Sequence, residues 1–170
     1  MENLKVLLKE EELQSRIAEL AKELDKEYEG KELIVITILK GALYFSIDLT
    51  KKMKTPIIFE TIHAHSYEGT ESTGNVVIKD DISIDIEGKD VLVVEDIIDT
   101  GKTLDKIKTH LLNKNPKSLK IAVLINKPAR REINVPVDFV GFDIENKFII
   151  GYGFDYDEKY RNIPYIGYIE

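Results

Sequence analysis

A chain of 170 residues, 43% hydrophobic and 32% charged, is long enough to bury a sizeable core and reads as one globular domain over residues 1–170. It has no cysteine, which excludes disulfides, zinc–thiolate centres and thiol nucleophiles, and its formal net charge of −7 opposes broad attraction to nucleic acid or anionic membranes. Residues 1–20 are broken by charges and lack the apolar core of a secretory signal, and no apolar run approaches the length of a membrane span, so a cytoplasmic location is expected.

Taken in chain order, Leu13, Ile17, Leu20, Leu24 and Tyr28 recur every three or four residues and predict an amphipathic helix that stops at Gly30. Residues 33–38 are continuously apolar, the pattern of a strand buried on both faces. Residues 42–54 return to helical spacing through Leu43, Tyr44, Ile47 and Met53. Pro56 lies just past their end, and the next strand is expected at 57–62. The stretch 63–74 (HAHSYEGTESTG) is polar, punctuated by glycine and long for a structureless connector, which points to a functional lid carrying Ser66 and Tyr67. Its His63 and His65 have metal-compatible spacing but no third ligand in view.

A short strand at 76–78 and a turn at 79–81 precede a buried strand at 91–94. The helix after it carries Leu104, Ile107, Leu111 and Leu112, and Asn115-Pro116 ends it. Further strands are expected at 121–125, 137–142 and 148–150, and 165–169 closes a small antiparallel appendage. Strands alternating with helices argue the α/β class, with a mainly parallel open sheet flanked by helices. Residues from Ile144 onward form an appended loop-and-strand region.

The run Val91 to Thr103 (VLVVEDIIDTGKT) concentrates the chemistry. Three acids within five residues, Glu95, Asp96 and Asp99, sit where a parallel strand ends, and Thr100-Gly101-Lys102-Thr103 opens a helix. Open α/β sheets bind ligands outside the carboxyl ends of their strands. A helix N-terminus at that edge cradles phosphate, and the acids beside it can hold Mg²⁺ or sugar hydroxyls. A Walker A loop would need glycine at position 96, where Asp96 stands, so that reading fails. On the same edge, Lys40 could face a diphosphate while Gly41 lets backbone amides approach it. Lys127, at the end of a later strand, can donate to an exocyclic carbonyl of a base.

This run resembles the 5-phosphoribosyl-1-pyrophosphate (PRPP) signature of the type I phosphoribosyltransferases. Leu39-Lys40-Gly41-Ala42 resembles the pyrophosphate loop of the hypoxanthine-guanine branch. Lys127, Asp138-Phe139-Val140-Gly141-Phe142 and Lys147-Phe148 are similar to that branch's 6-oxopurine segments. The resemblance implies the type I fold with a small base-recognition hood and a cis peptide between Leu39 and Lys40. It implies that Glu95 and Asp96 hold the ribose hydroxyls and, with Asp155, Mg²⁺. Asp99 would be the general base facing N7. The amides from Asp99 to Thr103 (with Thr100, Gly101 and Lys102 between them) would grip the 5′-phosphate with the Thr100 and Thr103 hydroxyls. Lys40, Gly41 and Arg161 would hold pyrophosphate. Lys127 would read the 6-oxo group, Phe148 stack on the purine, the Ile149 backbone read its Watson–Crick edge, and Asp155 approach the base.

Ser66-Tyr67 would close over the reaction centre, although Glu68 follows where many relatives carry glycine. The implied reaction joins the ribose 5-phosphate of PRPP to N9 of hypoxanthine or guanine, giving IMP or GMP and pyrophosphate for purine salvage, in a homodimer or homotetramer. The rival reading is a non-catalytic regulator of the same fold, which would release no pyrophosphate.

Overall fold

The computed structural model describes residues 3–66 and 75–170. Strand β1 (Leu4–Leu8) precedes helix α1 (Glu10–Glu27), and β2 (Leu33–Leu39), α2 (Leu43–Lys52) and β3 (Ile57–Ser66) follow. After them come β4 (Val76–Asp80), β5 (Asp90–Ile98), α3 (Lys102–Leu112), β6 (Ser118–Asn126), β7 (Phe139–Asp143), β8 (Ile149–Ile150) and β9 (Ile166–Ile169).

The continuous apolar runs are explained by burial on both faces of one sheet. Along β2, Leu33 and Val35 point to a layer filled by Leu13, Ile17, Leu20 and Leu24 of α1 and Phe45 and Leu49 of α2. Ile34, Ile36 and Ile38 point to the opposite layer, filled by Leu104, Ile107 and Leu111 of α3. α1 starts with three glutamates that complement the positive end of its dipole, and Glu12 accepts the backbone N–H of Lys9 at 2.8 Å. A buried hydroxyl pair, Thr37 and Ser46 at 2.6 Å, ties β2 to α2.

The main sheet has six strands in the order β4-β3-β2-β5-β6-β7, parallel except for the antiparallel pair β3–β4. β2 connects outward to β3 through α2 on one face, and β5 connects outward to β6 through α3 on the other. The strand order therefore reverses between β2 and β5, and a crevice opens where their carboxyl ends diverge. Both segments singled out in the sequence, Lys40-Gly41 and Glu95 to Thr103, leave the sheet at that crevice. The open flank at β7 is blunted by Arg16 of α1, which donates to the carbonyls of Val140 (2.7 Å) and Gly141 (3.0 Å). No helix among the described residues is long and apolar enough to cross a membrane.

Two expectations need correction. Residues 63–66 belong to β3 and pair with β4, so the polar stretch does not begin as a loop. Of the lid pair, Ser66 is the last residue of that strand, and Tyr67 lies outside the described residues. The appendage is also not built from the C-terminal part alone. It is a three-stranded antiparallel sheet, β1-β9-β8, in which the N-terminal strand pairs with the C-terminal one.

Candidate active site

The signature forms a strand, a tight turn and a helix as expected. Gly101 has a φ of +90°, and a Cβ there would lie 2.4 Å from the Ile133 carbonyl, so the turn into α3 requires glycine. The segment after β6 backs this turn. The amides of Glu132 and Ile133 donate to the Thr100 carbonyl at 2.9 and 3.0 Å. Arg131 donates to the carbonyls of Asp99 (2.9 Å) and Ile98 (3.3 Å) and to Asn126 Oδ1 (2.5 Å). With its carbonyls taken on that side, the loop meets the crevice through the first-turn N–H groups of α3, which have no partner within the helix.

The crevice comprises two adjoining clefts that share Glu95, Asp96 and Thr103. The smaller, about 300 Å³, is lined by Asp99, Thr100, Gly101 and Arg130. The larger, about 570 Å³, is lined by Lys40, Gly41, His63, Asp155, Glu158 and Arg161. The Leu39–Lys40 peptide is cis, as the resemblance implied. A Cβ on Gly41 would fall 1.8 Å from Asp96 Oδ2, so the two loops touch and position 41 has no room for a side chain.

The electrostatics of the shared wall are unusual. Glu95 is 7% exposed. Burial pushes its carboxyl well above the usual carboxylate range, and the charge of Asp96 adds to the effect. Asp96 is raised by the same burial, opposed in part by the charge of Arg161. Two acids that resist ionising together form a site that a divalent cation or sugar hydroxyls would complete. The three carboxylates expected around a metal do not converge: among the described residues no group of three ligating side chains forms. Asp155 instead accepts the Glu158 amide at 2.9 Å and faces Arg161 at 3.5 Å. A Glu95–Asp96 pair still fits Mg²⁺, which takes one or two protein carboxylates and the oxygens of substrate phosphates and water.

In the larger cleft, Lys40 and Arg161 both hold Glu158, at 3.0 and 3.3 Å, and Arg161 also donates to the Gly153 carbonyl at 2.7 Å. The Arg161 Nε is buried with no hydrogen-bond partner among the described residues. His63 lies 3.5 Å from Asp80 and packs on the ring of His65.

At the other end, Lys127 is 7% exposed, with its Nζ 4.0 Å from Asp99 Oδ2 and 3.4 Å from the Lys147 carbonyl. Phe148 is 53% exposed and meets Tyr156 edge-on, so it offers a free ring face beside Lys127 rather than core packing. Ile149 is buried next to it in β8. The Lys102 ammonium is engaged by Glu132 at 2.9 Å, which leaves its backbone N–H, 3.4 Å from Thr100 Oγ1, as its group at the helix start.

Sequence reasoning missed Arg130, Arg131 and Glu158. Each stands in a charged, turn-forming stretch that reads as ordinary surface, and no periodicity marks them.

A family model for the phosphoribosyl transferase domain matches residues 4–157. The chain belongs to the phosphoribosyltransferase family. It is similar, at 44% identity over 95% of its length and 93% of the relative's, to the hypoxanthine phosphoribosyltransferase of Salmonella typhimurium. It is 46% identical over 98% of its length to the bifunctional protein TilS/HprT of Listeria monocytogenes serotype 4b, but spans only 26% of that longer protein. Among solved structures, a hypoxanthine-guanine phosphoribosyltransferase of Bacillus anthracis superposes over 100% of both chains with a TM-score of 0.93 at 41% identity. The mainly parallel sheet flanked by helices is the fold those relatives share.

Proposed function

We propose that the chain transfers the phosphoribosyl group of PRPP to N9 of hypoxanthine or guanine, forming IMP or GMP and releasing pyrophosphate, a purine-salvage reaction. The observation that carries this is the crevice at the carboxyl ends of β2 and β5, where the start of α3, the Glu95–Asp96 pair and the Lys40–Arg161 side share one wall, with Lys127 4.0 Å from Asp99 at its edge. The 5′-phosphate occupies the small cleft against the α3 N–H groups and the Thr100 and Thr103 hydroxyls. It lies remote from the reacting bond, so its binding energy positions C1′. Glu95 and Asp96 hold the ribose hydroxyls. When bound at this pair, Mg²⁺ supplies Lewis-acid neutralisation of the departing diphosphate.

Lys40 and Arg161 exchange Glu158 for pyrophosphate, and Gly41 lets the backbone approach it. Lys127 donates to the purine 6-oxo group, Phe148 stacks on the ring, and Asp99 takes the proton from the attacking base through N7. Asp155 shapes the turn that carries Arg161 and borders the base. We further propose that residues 1–170 act as one catalytic domain in the cytoplasm, in a homodimer or homotetramer, on small molecules and not on nucleic acid or membranes.

The test is a spectrophotometric assay with PRPP and Mg²⁺, supplying hypoxanthine, guanine, xanthine, adenine and uracil separately, each with an EDTA control. Metal-dependent nucleotide formation from hypoxanthine or guanine is expected. Turnover confined to another base would overturn the roles of Lys127 and Phe148. Absence of pyrophosphate release with every base would overturn the reaction.

A further inference from the structure

Charge in the small cleft is unbalanced for its ligand. Glu95, Asp96 and Asp99 line it, and among its described lining residues Arg130 supplies the one cationic side chain. The two neighbouring cations are occupied elsewhere: Lys102 by Glu132 at 2.9 Å, and Arg131 by Asn126 and two loop carbonyls. Arg130 differs from both. It sits at the end of a short 3₁₀ turn (Pro128–Arg130), its side chain is 55% exposed, and its guanidinium reaches across to Asp99 Oδ2 at 3.2 Å. The other oxygen of that carboxylate is buried with no hydrogen-bond partner among the described residues. With Lys127 Nζ at 4.0 Å from the same Oδ2, the Arg130 ion pair thus covers the reachable face of the group to which the proposed function gives the purine proton.

We propose that Arg130 is a movable phosphate ligand: before PRPP binds it latches Asp99, and on PRPP binding it turns to the 5′-phosphate and frees the carboxylate. This rests on the reading of the crevice as a PRPP and purine site. A phosphomonoester dianion is the stronger partner for a guanidinium, because it offers fork-shaped, doubly charged acceptors in place of one carboxylate oxygen. A half-exposed side chain on a short turn can make that move without disturbing Arg131, which braces the loop. Phosphate binding and exposure of the proton acceptor are then one event, so the base comes into play only when the sugar phosphate is in place.

Kinetics on the full chain test this. Arg130→Ala should raise KM for PRPP by about ten- to hundredfold, the loss of a charge-assisted hydrogen bond, while kcat at saturating PRPP is retained. Affinity for IMP should fall by the same factor and affinity for inosine, which lacks the phosphate, should not fall. Arg130→Lys should recover part of the loss, and it serves as the test variant if Arg130→Ala does not fold. An unchanged KM for PRPP, or equal losses for IMP and inosine, would overturn the proposal, the latter by revealing a merely structural role. Calorimetric titration with ribose 5-phosphate separates this question from turnover. Weaker binding in the variant supports the phosphate ligand even if the wild type converts no purine, and equal binding overturns it.

Discussion

Asp99 and Lys127 present a carboxylate and an ammonium 4.0 Å apart at the ends of neighbouring strands β5 and β6. N7 and O6 lie on one edge of a 6-oxopurine, so a single ring can meet both groups. Asp99→Asn keeps the shape and removes the carboxylate proposed to accept the purine proton. It should lower kcat by about 10²–10⁴-fold with PRPP affinity retained, measured by steady-state kinetics and PRPP titration. Glu95 makes the opposite trade. Its burial raises the proton affinity of the folded state above that of the unfolded chain. The folded protein therefore carries no ionisation cost below the unfolded value, about 4.3, and loses stability as pH rises through the higher folded one. Glu95→Gln should accordingly abolish the proposed turnover yet stabilise the fold at pH 8 by about 0.5–2 kcal/mol, seen as a higher Tm, with the gain vanishing near pH 4 in thermal scans. A gain independent of pH would contradict this cause. These residues were legible in the sequence because they stand at strand ends. Arg130 and Glu158 were not, since a charged residue in a polar turn acquires a role only when a distant carboxylate or cation is folded against it.

Hydrophobic period identified the elements that bury an apolar face and failed where a strand depends on a distant partner. β1 (LKVLL) is short, and among the described residues it pairs only with β9 from the other end of the chain, a contact that local pattern does not record. The end of β3 carried a signal that polarity obscured: Ile62 and Ala64 face the core while His63 and His65 alternate with them. The turn into α3 was read correctly because it depends on one local requirement, a glycine in the left-handed region. Gly101→Ala should cost about 1–3 kcal/mol in chemical denaturation through backbone strain, with an added clash at the Ile133 carbonyl, and should weaken PRPP binding. Unchanged stability would show that the turn can relax, and that the loop is not held by its backing segment.

At the scale of the molecule, the hood reaches the crevice because it is fastened to the helical layer beneath it. The Tyr152 hydroxyl donates to Asp48 of α2, Gln14 of α1 donates to the same carboxylate at 3.0 Å, and Lys52 holds Gln14 at 2.9 Å. Next to this anchor, a Cβ on Gly153 would lie 2.1 Å from the Gly41 carbonyl, so the hood rests directly on the Lys40-Gly41 loop. Tyr152→Phe leaves the part-buried Asp48 carboxylate short of one donor. It should cost about 1–3 kcal/mol, a fall in Tm of about 2–4 °C for each, visible by calorimetry. The α/β class and the active edge were readable from strand–helix alternation, whereas this anchorage joins residues more than a hundred positions apart and had no local trace. The most direct test of the whole account is a crystal structure of the protein with IMP, Mg²⁺ and pyrophosphate. The account predicts the 5′-phosphate on the amides of 100–103, the purine on Phe148, and O6 within about 3.2 Å of Lys127 Nζ. A nucleotide bound with its base over Lys40 and Arg161, or outside the β2–β5 crevice, would contradict it.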